Sequence, residues 1–207
     1  MRAAQTVFVL ILFFLTAAKS GFTQSDGSKA VVTEEILFQP AIGVTWNYSP
    51  NSFRAWGKIE NAHQSQILLS YRHSKFNPGK FSVYFISEIV AASWIRYPIN
   101  GKNGLRDNGF GLGFTPFGFE LPLSNKPNGF FLHGSAGFIV FSQRLPSPLG
   151  SRFNYTLDAG IGYQFSVGEK RALQIGYKLK HLSNGNTGEV NPGIDSHNIF
   201  VGLLFAL

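Results

Sequence analysis

The sequence predicts an all-β protein, an eight-stranded antiparallel, up-and-down barrel whose strands cross a membrane, and three observations predict it. The first is composition. Among 207 residues, 21 Phe, 7 Tyr and 3 Trp stand beside 23 Gly, and only 14% are charged, a bias toward strand and turn formers and away from helix formers. The second is an alternation without a break. Phe153, Tyr155, Leu157, Ala159, Ile161, Tyr163, Phe165 and Val167 are apolar, while Asn154, Thr156, Asp158, Gly160, Gly162, Gln164 and Ser166 fill the positions between them. Fifteen residues suit a tilted membrane crossing better than the five or six of ordinary soluble strands. The third is that, beyond residue 24, no apolar run reaches the ~20 residues of a membrane helix, so a crossing must be made by strands that pair with one another.

The elements follow in chain order. Arg2, the apolar run Val7 to Leu15 and the small residues around Ala17 and Ala18 read as a cleaved signal peptide over residues 1 to 24, because a core of roughly a dozen apolar residues is too short to span a bilayer. An exported single domain over 25–207 is expected to follow, in the outer membrane. Eight segments bounded by Gly, Pro, Asn or Ser clusters are expected as strands: 36–48, 63–73, 80–96, 108–121, 128–142, 152–167, 171–183 and 197–207. Pro40 interrupts the first, and residues 25–62 show little periodicity. Asn77-Pro78-Gly79, Asn125 to Gly129, Ser147-Pro148-Leu149-Gly150 and the tight Gly168-Glu169-Lys170 supply turn chemistry, with the short turns expected on the periplasmic side. An even strand count closes the sheet and leaves no edge in lipid. Eight strands enclose an interior filled by side chains, which argues against a diffusion pore. The last segment is apolar, with Phe205 two positions from the end where barrels of this kind commonly finish in an aromatic residue.

Charge and cysteine narrow the chemistry. The formal net charge is +7, but Lys and Arg are scattered rather than clustered, so an anionic membrane surface accounts for them and no nucleic-acid partner is expected. No cysteine is present, which removes disulfides and thiolate metal sites. No His/Asp/Glu spacing is that of a metal site, and no cofactor is expected.

The segment 171–183 carries the feature that points to chemistry. Leu173, Ile175, Tyr177 and Leu179 run on one face straight into His181 and Ser183, while Gln174, Gly176, Lys178 and Lys180 occupy the other. In a barrel with a polar interior the first face is the lipid face. Two residues apart on a strand, His181 and Ser183 have Cβ atoms roughly 7 Å apart on the same side, so their side chains can lean together. A serine hydroxyl needs a base to become a nucleophile, and the base needs an acid to fix its tautomer. The loop after Ser183 offers two acids, Glu189 and Asp195, and amides in Asn184, Asn186 and Asn191 for an oxyanion. Spacing alone leaves open a histidine of the aromatic girdle followed by a serine that starts a loop. His63, His73, His133 and His197 have no such partners nearby and read as girdle or loop residues.

The string His181-Leu182-Ser183-Asn184-Gly185, followed by Asn191-Pro192-Gly193-Ile194-Asp195-Ser196-His197-Asn198, resembles the C-terminal signature of the PagL-type lipid A 3-O-deacylase (acyloxyacyl hydrolase) family. The match is specific over residues 177–205. The resemblance implies that His181 is the general base and Ser183 the nucleophile, with Asn184 and Asn191 in the polar surroundings of the oxyanion. The family's acid is typically a glutamate, and Asp195 stands at the matching position, so the backbone must come closer to His181; Glu189 is the rival. The activity so implied is hydrolysis of a 3-O-linked hydroxyacyl ester of lipid A in lipopolysaccharide. An outer-membrane phospholipase-like esterase and a non-enzymatic structural or adhesion barrel are the alternatives, with a water-soluble barrel opposed by the many outward aromatics.

Overall fold

The computed structural model describes residues 40–76, 82–99 and 104–207; the expected signal peptide, the first residues of the expected first strand and the turn at Asn77 lie outside them. The strands are β1 (Ala41–Ser49), a two-residue β2 (Ser52–Phe53), β3 (His63–Phe76), β4 (Val83–Pro98), β5 (Arg106–Pro122), β6 (Gly129–Leu145), β7 (Ser151–Ser166), β8 (Arg171–Ser183) and β9 (Ile194–Ala206). All pair antiparallel in the order β1-β3-β4-β5-β6-β7-β8-β9, and β9 returns to β1 to close an eight-stranded barrel. Closure runs from Ala41 opposite Ala206 to Tyr48 opposite Ile199. Pro40 does not interrupt the first strand but precedes it, where its missing N–H is harmless; its carbonyl accepts from Leu207. The last strand starts at Ile194, three residues before the expected 197, because β8 continues to pair with it through Leu182 and Ile194.

The alternation read in the sequence is the alternation of the wall. On β7 the odd residues Tyr155, Leu157, Ile161 and Phe165 are exposed on the outside, and the even residues Asn154, Thr156, Asp158 and Gln164 are buried inside. Aromatic rings gather near both rims of the outer face: Trp94 against Phe110, and Phe153 against Tyr155, toward one rim, and Phe130, Tyr163 and Phe165 toward the other. An outer surface of Leu, Ile, Val and aromatic side chains held between two girdles is the surface of a strand-built membrane span.

The interior is filled, and it changes character along the axis. Near the rim that carries the turns 123–128 and 167–170, Arg72 pairs with Glu120 at 2.6 Å and Gln174 bridges Glu120 and Gln164. At mid-height Lys178 and Lys180 of β8 both reach Asp158 of β7, at 3.3 and 2.8 Å. His133 also faces inward here and is buried, so it is neither girdle nor loop; it shares the inward parity of Phe131 and Ser135 on β6. Toward the opposite rim the polar groups give way to an apolar plug that includes Ile95, Tyr97, Ile139, Leu145, Leu182 and Ile194. The turn at 147–150 lies at this plugged rim, so connection length does not sort the two rims as expected.

Candidate active site

His181 and Ser183 are the last outward residues of β8, and Leu182 between them points inward into the apolar plug. Burying Leu182 fixes which way its neighbours face, because a one-residue slip would carry it into lipid and His181 into the plug. Across the sheet His181 stands directly opposite Asp195, the second residue of β9. Directly opposed residues have Cβ atoms about 5 Å apart, so the short aspartate side chain reaches, and its Oδ1 lies 2.6 Å from His181 Nδ1. That contact leaves Nε2 as the nitrogen available toward Ser183. No hydrogen bond joins Ser183 to His181 among the described residues; the two share a face, and the serine is half-buried.

Asp195 is outward in parity yet only 4% exposed, because a segment from the far side of the barrel closure lies over it. β2 pairs Phe53 with Asp195 and Ser52 with Ser196. Beyond β2 the backbone N–H groups of Gly57 and Ala55 donate to Asp195 Oδ2 at 2.5 and 3.2 Å. Both carboxylate oxygens are thereby used, one by the imidazole and one by the loop. Trp56 meets the His181 ring edge-on, with centroids 5.8 Å apart. None of these residues was legible as part of a site, since backbone donors leave no mark in a sequence and residues 50–62 have no periodicity.

The β8–β9 loop is held by its asparagines. Asn184 is fully buried; its Nδ2 donates to the Val190 carbonyl, its Oδ1 accepts the Asn186 N–H, and its own N–H donates to Asn191 Oδ1. Asn184 therefore shapes the loop from within. Asn191 Nδ2 donates to Asn186 Oδ1 at 3.2 Å, which leaves its second N–H free of that contact. Gly185 and Asn186 adopt left-handed backbone angles at the loop's sharp turn. Glu189 is exposed on the same loop and, among the described residues, His181 pairs with Asp195 and not with it. His197, further along β9, bonds to the Tyr177 hydroxyl and stacks on Phe53 at 4.0 Å, a girdle arrangement beside the site.

The family model for lipid A 3-O-deacylase (PagL) matches residues 41–203, which spans the whole barrel from β1 nearly to the end of β9. The chain belongs to the PagL family. Among solved structures, the outer membrane enzyme PagL superimposes with a TM-score of 0.58 at 17% identity, covering 77% of this chain and 97% of that one. Neisserial surface protein A gives 0.48 at 13% identity over 81% and 97% of the two chains, and Ail, the attachment invasion locus protein of Yersinia pestis, gives 0.42 at 15% over 82% and 99%. None of the curated protein sequences matches. At 17% identity the PagL structure bears on the barrel alone, and the family match is what ties the chain to PagL.

Proposed function

We propose that this PagL-family barrel is an outer-membrane serine esterase that removes a 3-O-linked hydroxyacyl chain from lipid A. The observation that carries the proposal is the outward His181–Asp195 pair at the end of β8, on the same face as Ser183 and in line with the apolar row Leu173, Ile175, Tyr177 and Leu179. Acyl chains of a lipid substrate lie against that row, so the ester meets the hydroxyl without leaving the bilayer. His181 Nε2 takes the proton of Ser183 as its oxygen bonds to the ester carbonyl carbon. The free N–H of Asn191 and a loop backbone N–H stabilise the oxyanion. The C–O bond breaks, and His181 returns the proton to the leaving sugar hydroxyl. Water then adds to the acyl-serine, its proton taken by His181; the C–O bond to Ser183 breaks, His181 returns the proton to the serine oxygen, and the fatty acid leaves. Asp195 holds the imidazole with Nδ1–H toward it and balances the imidazolium charge. Residues 1–24 act as the export signal, and the plugged rim with its site faces outward from the cell.

Mass spectrometry of lipid A and phospholipids from cells expressing the wild type and Ser183→Ala tests this. Loss of one hydroxyacyl mass from lipid A alone, absent with Ser183→Ala although the barrel folds, is the expected result. Unchanged lipid A with the wild type, or release of fatty acid from phospholipids instead, contradicts it.

A further inference from the structure

The carboxylate of Asp195 is gripped from outside its own hairpin, and the grip comes from backbone. The loop between β1 and β3 docks on the β8–β9 loop by main-chain contacts: Lys58 N–H donates to the Pro192 carbonyl at 2.5 Å and Ile59 N–H to that of Gly193 at 3.3 Å. The loop is also tied to itself, since Ser52 Oγ donates to the Ile59 carbonyl and accepts from the Ala62 N–H. The closest approach is between two glycines. A Cβ on Gly57 would lie 2.8 Å from Gly193 C and Ile194 N, and one on Gly193 would lie 3.1 Å from Gly57 Cα and 3.2 Å from His181 Cε1. A side chain at 57 would thus strike the backbone just before Asp195, and one at 193 would crowd the imidazole.

We infer that the β1–β3 loop is a positioning element of the esterase, the N–H groups of Ala55 and Gly57 fixing the Asp195 carboxylate so that its other oxygen stays on His181 Nδ1. The inference rests on the proposed role of that pair. Two N–H donors on Oδ2 set the rotation of the carboxylate about the Cβ–Cγ bond. Oδ1 is then presented to the imidazole, which selects the tautomer carrying the proton on Nδ1 and leaves Nε2 as a base. The loop also supplies what the shorter acid requires. One methylene fewer gives the carboxylate fewer rotamers, and the amides hold the one that reaches His181.

Two variants test the loop by different means. Gly57→Ala forces the loop off Gly193, and Ala55→Pro deletes one donor without adding bulk at the glycine contact. Ring 15N shifts of His181, recorded on the refolded full barrel, read the tautomer whether or not the protein is active. The expected result is the Nδ1–H form in the wild type and in Ser183→Ala, and movement toward the Nε2–H form in both loop variants as in Asp195→Ala. Kinetically, kcat on a lipid ester falls about tenfold or more with KM nearly unchanged, and neither variant lowers it further in an Asp195→Ala background. Wild-type ring shifts in both loop variants overturn the inference, as does a loop effect that persists undiminished without Asp195. An inactive wild type whose ring shifts still respond to the loop counts against the proposed esterase and not against the positioning.

Discussion

Asp195 has two oxygens and three donors, and the division between them gives the residue its meaning: His181 Nδ1 on Oδ1, Gly57 and Ala55 on Oδ2. Glu189 is exposed and lacks that setting. Asp195→Ala is expected to lower kcat by about 10⁴-fold, as loss of the tautomer-fixing acid does in other triads. Glu189→Ala, a surface change, is expected to stay within about a factor of two. Deacylation rates of the two variants on the same lipid decide between the acids; the reverse order would reassign the role. The sequence ranks Asp195 first through its place in the signature, and cross-strand opposition to His181 brings its shorter side chain into contact with the imidazole. Nothing in the sequence shows Oδ2's partners, because main-chain N–H groups look alike at every position.

β8 carries the proposed site on one face and a buried ion cluster on the other. Lys178 and Lys180 point inward onto Asp158 of β7, with all three side chains about 3% exposed, while the outward residues of the same strand run from apolar into His181 and Ser183. Removing Asp158 strands two buried ammonium groups. Asp158→Ala is therefore expected to destabilise the barrel by about 3–5 kcal/mol, measured by urea unfolding from lipid vesicles, and a change under about 1 kcal/mol would show that water reaches the pair. This strand and β7 were legible because period-two alternation is strongest where one face meets lipid and the other a packed interior. β1 was expected only within the longer segment 36–48, and β2 and the loop between β2 and β3 were not legible. β1 is short, Pro40 lies just outside it, and β2 has only two residues, too few for any period. The apolar plug was missed for a related reason: Leu182 and Ile194 occupy inward positions that a uniformly polar lumen would fill with polar side chains.

The whole barrel wears its apolar surface outside, between two aromatic girdles, and puts its charge inside. Ile161, outward near the middle of β7 and exposed, should tolerate no charge there: Ile161→Arg is expected to cost about 2–4 kcal/mol in vesicles. In detergent, whose headgroups adapt, the cost should be smaller, and equal costs in both would place that belt outside the hydrocarbon. A site on the lipid face at the plugged rim makes sense only for a substrate whose ester lies at the hydrocarbon boundary, and that placement is the central claim. The measurement that tests it most directly is covalent labelling of Ser183 in membranes by a long-chain fluorophosphonate, located by peptide mass spectrometry. Labelling at Ser183 in the wild type that disappears with His181→Ala is the predicted result. No label on Ser183, or label that survives loss of His181 undiminished, would contradict it.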